Sequence, residues 1–117
     1  MHTFIELWSC TPRWHAMSSE ERGAYMAQIG PSIESVLAGG VRLLACGTAD
    51  ADTDRRGDWD YFAVWSTPDA EARRRFEQTV AASGWYECFA QVNVAGTSRE
   101  LDELIGAMIG APAAVAG

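Results

Sequence analysis

Apolar and polar residues alternate along two stretches of the chain, which is the pattern of β-strands that bury one face. In the first stretch, Phe4, Glu6 and Trp8 fall on one face of the strand, whereas Ile5 and Leu7 fall on the other. The alternation predicts strands at residues 3–10 and 59–66, and the mainly apolar stretches at residues 41–48 and 85–94 are predicted to be two further strands.

A different spacing separates the first two strands, because apolar residues recur there at every third or fourth position. Ser18 and Glu21 form a capping box, in which each side chain satisfies a free backbone N–H at the start of a helix. We predict that the helix runs from this box to Gly39. The pair Gly30-Pro31 is expected to kink or break it.

Capping signals predict two further helices. Residues 67–69 (Thr-Pro-Asp) provide an N-cap, a proline at the first helical position and an acid at the positive end of the helix dipole. This helix is expected to end at Gly84. Thr97 and Glu100 form a second capping box before an amphipathic last helix.

The order of these elements is β-α-β-β-α-β with an additional C-terminal helix. This is an α+β, ferredoxin-like arrangement with a four-stranded antiparallel sheet. A chain of 117 residues fits a single domain, which we assign to residues 1–110, with a tail of small residues at 111–117.

The predicted sheet carries large side chains on both faces, although its helices can cover only one. On the third strand, Tyr61 and Trp65 point to one side, and Phe62 and Val64 point to the other. An isolated subunit would expose a broad apolar surface. We therefore expect a homodimer, in which a second subunit covers the free face.

Charge and cysteine content exclude several classes of protein. The formal net charge is −7 and all nine basic residues are arginine. The negative charge argues against a nucleic acid as partner, and the chain lacks the lysine of a Schiff base or phosphate loop. The one basic run, Arg73–Arg75, lies among acids and is predicted to be a solvated helix face. Dispersed Cys10, Cys46 and Cys88 predict buried, reduced thiols and a cytoplasmic protein. The N-terminal residues predict neither a signal peptide nor a membrane partner.

Three segments carry a resemblance to a known family. They are "FIELW" at the start, "DWDYFAVW" before the helix that ends at Gly84, and "GWYECFAQVNVAG" at the fourth strand. With this order of elements they resemble the dimeric α+β barrel superfamily and, within it, the DUF6616 branch, over roughly residues 3–96. The resemblance implies two sheets that face each other across a dimer axis, and a pocket between each sheet and its helices.

The resemblance also implies that the loop after the first strand lies near the pocket mouth, which would bring Trp14 and His15 there. Imidazole moves protons near neutral pH and indole stacks on flat molecules, so this pair is one candidate site. The alternative is that Trp14 covers the end of the core and His15 faces solvent.

Polar side chains on strands one and four form a second candidate site. Glu6 lies on strand one, and Glu87, Gln91 and Asn93 lie on strand four, which neighbours strand one in this topology. A carboxylate held among apolar groups has a raised pKa and can act as a general acid or base. The alternative is a structural network in which Glu6 or Glu87 pairs with Arg42 or Arg22.

No metal site is predicted. The acidic loop Asp50–Asp54 begins like a calcium loop, but Arg55 stands where that loop requires glycine. Cys10 and His15 have no further ligand at a suitable spacing. No cofactor is therefore expected, and a haem held by His15 or by a distant residue is kept as an alternative.

The residues and the resemblance together give a functional hypothesis: a cofactor-independent enzyme that isomerises, cyclises or oxygenates a small planar organic molecule. His15 or Glu6 would carry the proton, and Tyr61 would donate a hydrogen bond. The rival hypotheses are a non-catalytic ligand-binding or stress-associated homodimer and, third, a haem-binding protein. The remaining predicted ligand contacts are aromatic walls and carbonyl-polarising amides: Trp8, Trp14, Trp65, Gln91 and Asn93.

Overall fold

The computed structural model describes residues 1–113, which form four strands and five helices. The elements in chain order are β1 (His2–Cys10), α1 (Pro12–Ala16), α2 (Ser19–Ala38), β2 (Arg42–Thr48), β3 (Tyr61–Thr67), α3 (Ala70–Ala82), α4 (Trp85–Cys88), β4 (Phe89–Thr97) and α5 (Leu101–Ile109).

The four strands form one antiparallel sheet in the order β2-β3-β1-β4, which confirms the predicted ferredoxin-like topology. In the strand register, Phe4 pairs with Trp65, and Glu6 lies between Ala63 on β3 and Asn93 on β4. Because paired residues share a face, Glu6 and the polar side chains of β4 lie on the same side of the sheet, as predicted.

The main core lies on one face of the sheet, beneath α2 and α3. Phe4, Val41 and Phe76 form its buried centre, and Val36 of α2 packs against them. The rings of Phe4 and Phe76 meet edge to face with their centroids 5.4 Å apart. These contacts fix α3 on β1. α3 therefore forms one wall of the space that remains between the helices and the sheet.

α2 runs without interruption through Pro31, so of the expected kink or break the break does not occur. Proline removes one backbone hydrogen bond, and the carbonyl group that loses it belongs to Ala27, which is exposed and can bond to water instead. Ile29 and Ile33 lie on either side of the proline and line the space between α2 and the sheet. Packing of these two side chains above the sheet, with Ile29 buried, stabilises the helix across the missing hydrogen bond.

The segment before β4 is a helical turn, so its prediction as strand is wrong. Gly84 takes a left-handed conformation with φ of 80°, and the four residues of α4 follow it. The backbone N–H and the hydroxyl of Thr11 both donate to the carbonyl oxygen of Cys88, each at 2.9 Å, and so hold the turn. As a result Glu87 lies off the sheet and pairs with Arg13 at 3.3 Å, not with Arg22 or Arg42 as predicted.

Two predicted helix starts shift by a few residues. The carboxylate of Asp69, not the hydroxyl of Thr67, caps α3, because it accepts a hydrogen bond from the backbone N–H of Ala72 at 2.8 Å. Glu100, rather than Thr97, is the N-cap of α5. In both cases the expected capping residue is the last residue of the preceding strand.

The face of the sheet opposite α2 and α3 carries a row of apolar side chains. Ile5 lies between Val64 and Val94 in the strand register, and Leu7 pairs with Phe62. In the single subunit Val94 is 60% exposed. We call this surface the outer face and define it by Ile5, Leu7, Phe62, Val64, Val92 and Val94.

α5 stands away from the rest of the domain. Its apolar stripe is 47% to 82% exposed, and every residue of the helix is solvent-exposed. The radius of gyration is 17.1 Å, against about 13 Å for a compact chain of this length. The predicted tail begins after this helix, and residues 114–117 of it lie outside the described residues. The members of the stripe are Leu101, Leu104, Ile105, Met108 and Ile109.

Candidate functional site

An open cleft lies between the sheet and the two long helices, with Glu6 in its floor. Its inner part lies beneath α2 and α3 and has mostly apolar walls. An outer part continues over β2 and β3, and both parts share Glu6, Trp65 and Trp85. The inner part is also lined by Ile29, Ser32, Ile33, Val36, Phe76, Thr79, Val80 and Ser83, and the outer part by Trp8, Leu43, Cys46, Gly47, Tyr61, Phe62 and Ala63.

Glu6 is the buried acid of this cleft, with 6% of the residue exposed. Its Oε1 accepts a hydrogen bond from the indole N–H of Trp65 at 2.7 Å, and its Oε2 accepts one from the side-chain amide of Gln91 at 2.8 Å. Both donors are diagonal neighbours of Glu6 on adjacent strands, so the sheet register sets these contacts. Neither donor carries a charge, so the carboxylate is hydrogen-bonded without being electrostatically neutralised.

Gln91 is held in one orientation by its other partners. Its Oε1 accepts a hydrogen bond from the indole N–H of Trp85 at 2.7 Å, and its Nε2 also donates to Oδ1 of Asn93 at 2.8 Å. An indole nitrogen can only donate. The amide oxygen of Gln91 must therefore face Trp85, and its amide nitrogen must face Glu6.

The surroundings of Glu6 make it an unusual carboxyl group. Burial raises the pKa of Glu6 above the ordinary value of 4.5, and the hydrogen bonds from Gln91 and Trp65 offset part of that increase. A carboxylate with a raised pKa is a stronger base once it is ionised. The site therefore combines a proton acceptor with a water-poor, aromatic surrounding.

Glu6→Gln is expected to change how stability depends on pH. The pKa of Glu6 is higher in the folded state than in the unfolded state. The stability that the Glu6 carboxyl group contributes is therefore fully present below pH 4.5 and is lost as the pH rises through the folded-state pKa. The free energy of unfolding of the wild type minus that of the variant should therefore decrease across this window. The slope should reach at most about 1.4 kcal/mol per pH unit, measured by urea unfolding at closely spaced pH values.

Glu34→Gln is the matched control, because Glu34 lies exposed on α2. The same subtraction for this pair should give a nearly constant difference over the window. A wild-type-minus-Glu6→Gln difference that increases with pH would contradict the raised pKa.

Aromatic rings dominate the outer part of the cleft. Trp8 and Tyr61 stack with ring centroids 5.8 Å apart, and Trp8 meets Trp85 edge to face at 6.0 Å. The neighbouring Cys10 thiol, followed by burial, raises the pKa of Tyr61, so its hydroxyl stays protonated at neutral pH and can donate a hydrogen bond. Cys46 is exposed on this wall, so its expected burial is wrong.

Trp14 and His15 lie outside the cleft, on α1. The ring of Trp14 packs on buried Phe89 at 4.7 Å, with the guanidinium of Arg22 over it at 5.5 Å. His15 is exposed. This is the arrangement of the alternative prediction, in which Trp14 covers the end of the core and His15 faces solvent.

The structure brings most of the predicted site residues together and adds others. Trp85 is the main addition, and its prediction as a strand residue hid its contact with Gln91. The glycine directly before Trp85 is the sequence signal for the turn that places it there. The predicted residues gathered at or beside the cleft are Glu6, Trp8, Tyr61, Trp65, Gln91 and Asn93.

The donor groups of the described residues do not favour a metal centre. Residues 1–113 contain no group of three or more His, Cys, Asp or Glu side chains that could hold a metal ion. The described lining of the cleft includes no histidine, so a haem held there by His15 does not fit. Within the same range, no helix is both long and apolar enough to cross a membrane.

A family model described as a family of unknown function, DUF6616, matches residues 1–111. The chain belongs to the DUF6616 family. The match extends from β1, which carries Glu6, through α5, so the cleft and the exposed helix both fall within the family region. No curated protein matches this DUF6616 protein.

Solved structures share the fold of this DUF6616 protein at low sequence identity. A chlorite-dismutase-like protein matches with a TM-score of 0.58 and 18% identity over 81% of this chain, which spans only 42% of that protein. A protein of unknown function from Rhodopseudomonas palustris matches with a TM-score of 0.53 and 15% identity, and the match covers 85% of this chain and 82% of that protein. A dimeric ferredoxin-like protein of unknown function from Thermobifida fusca matches with a TM-score of 0.50 and 13% identity, and the match covers 83% of this chain and 90% of that protein. These matches confirm the ferredoxin-like fold.

Proposed function

We propose that this DUF6616 protein binds a small planar organic molecule in the cleft, and that Glu6 transfers a proton on it without a cofactor. The observation that carries the proposal is a buried carboxylate, held by two N–H donors, in the floor of an aromatic cleft. Titratable groups with perturbed surroundings in a cleft are typical of acid–base catalysis.

One carboxylate is sufficient for this chemistry. Ionised Glu6 takes a proton from one atom of the flat ligand and returns it to another on the same side, which gives an isomerisation or the proton shift that follows a ring closure. The N–H groups of Trp65 and Gln91 keep the carboxylate aimed during the transfer. Trp8 and Tyr61 provide ring faces on which a flat ligand stacks.

The proposal predicts catalysed exchange of carbon-bound protons. In D₂O the wild-type protein should accelerate the loss of the α-proton NMR signals of flat bicyclic ketones such as indan-2-one. Glu6→Gln should lower the protein-dependent rate by about 10²- to 10⁴-fold, because the proton acceptor is gone. The exposed Glu34→Gln should keep the wild-type rate.

Unchanged exchange in Glu6→Gln would contradict the proposal. Binding of the ketones without accelerated exchange would favour the second candidate function, a non-catalytic ligand-binding or stress-associated homodimer. One observation supports that candidate: both carboxylate oxygens of Glu6 already accept a hydrogen bond from the protein.

We also propose that the protein is a homodimer whose second copy covers the outer face and α5. A typical stable interface buries about 800 Å² on each partner, more than a nine-residue helix supplies alone. α5 follows β4 after three residues, and β4 carries part of the outer face, so one partner can cover both surfaces. The Thermobifida fusca protein with this fold is described as dimeric. The cytoplasmic location expected from the sequence stays a prediction.

A further inference from the structure

The cleft contains one charged side chain, and that charge is negative. Among the described residues that line it, Glu6 is the only acid, and none is an arginine or a histidine. The chain has no lysine. Five arginines of the described residues pair with acids, and none of these residues lines the cleft: Arg13 with Glu87, Arg56 with Asp60, Arg73 with Glu77, Arg75 with Glu71, and Arg99 with Glu103.

We infer that the cleft selects planar ligands that carry a positively charged nitrogen, such as a protonated amine on a fused aromatic ring, over neutral and anionic ligands of the same shape. A buried carboxylate with neutral neighbours is stabilised by a ligand that supplies the opposite charge. An anionic ligand would bring two like charges together away from water. The inference rests on the proposed function only in using the same cleft, with Glu6 facing the ligand.

Glu6 keeps the capacity to bind such a group. Each carboxylate oxygen has two lone pairs, and each accepts one hydrogen bond from the protein. One acceptor position on each oxygen therefore remains for the N–H groups of an ammonium. A charge-assisted hydrogen bond of this kind is stronger than one between neutral groups.

The aromatic walls favour the same charge. Trp65 and Trp85 line both parts of the cleft, and Trp8 and Tyr61 line the outer part. The face of an aromatic ring attracts a cation that lies within about 6 Å of its centre. The formal net charge of −7 adds a long-range attraction for cations.

Three probes with one ring system separate the effect of charge from that of shape: 1-naphthylmethylammonium, 1-naphthalenemethanol and 1-naphthoate. Isothermal titration calorimetry at neutral pH and low salt should give the ammonium about ten- to a hundredfold tighter binding than the alcohol. The naphthoate should bind more weakly than both. In Glu6→Gln the advantage of the ammonium should fall to about threefold or less, the part due to the rings. Glu34→Gln should keep the full advantage.

A measurement on the wild type covers the case in which Glu6→Gln does not fold. Lowering the pH through the raised pKa of Glu6 neutralises the carboxylate, whereas the amine of the probe stays charged. The advantage of the ammonium over the alcohol should disappear in that range. Tyr61 of the outer part has a pKa that is itself raised, so it ionises only at higher pH and does not contribute to the change.

Equal binding of the ammonium and the alcohol, tighter binding of the naphthoate, or no binding of the ammonium at millimolar concentration would each overturn the inference. The proposed function is tested separately. Proton exchange that depends on Glu6 without any charge preference rejects the inference and keeps the function. A charge preference that depends on Glu6 without proton exchange does the reverse.

Discussion

Phe4→Ala is expected to lower the free energy of unfolding by about 3 to 5 kcal/mol. Phe4 is 1% exposed and packs with Val41 and Phe76 at the centre of the core. The cavity left by alanine would be bounded by β1, whose position is fixed by hydrogen bonds to strands on both sides, so it could collapse only in part. Urea unfolding followed by circular dichroism measures the loss.

Tyr86→Ala is the control for this change, because it removes an aromatic side chain from an exposed position on α4. Its effect should stay below about 1 kcal/mol. Since small domains are stable by about 5 to 15 kcal/mol, the two variants should be easy to separate. A loss in Phe4→Ala no larger than in Tyr86→Ala would mean that the core is not centred on Phe4.

Val94→Glu is expected to convert the proposed homodimer into monomers while leaving the subunit folded. Val94 is 60% exposed in the single subunit, so the substitution has little effect on the fold itself. In a two-fold symmetric dimer it places two unpaired carboxylates in an apolar interface, which is strongly unfavourable. Sedimentation velocity should show the dissociation constant rising by at least about 100-fold.

Ala81→Glu adds the same charge on the exposed side of α3 and should leave the dimer intact. Circular dichroism at matched concentrations checks that both variants are folded. A dimer that survives Val94→Glu would move the interface away from the outer face. A wild-type chain that sediments as a monomer at micromolar concentration would reject the homodimer altogether.

The strands were predictable because each has two faces with different surroundings, as Phe4 in the core and Ile5 on the outer face illustrate. The failure at residues 85–88 has a specific cause. Their apolar and polar residues suit a strand, yet Thr11 binds the carbonyl oxygen of Cys88 from 77 residues away and folds them into a turn. No local pattern contains that contact.

The candidate site was predictable only for the residues that lie on the strands. Glu6 and Gln91 could be expected to meet, because the topology places β1 beside β4 and the alternation puts both on one face. Trp85 could not be placed, since its position depends on the turn. The expected position of His15 came from the resemblance alone, and α1, a helix of five residues, holds it at the surface instead.

The nine residues of α5 have a consequence for folding. A helix of this length is only marginally stable in water without tertiary support, and its own subunit buries none of its side chains. In the proposed dimer, folding of the C-terminal segment and recognition of the second copy are then a single event. A monomer in dilute solution would therefore contain less helix than a subunit of the dimer, because α5 would form only on assembly.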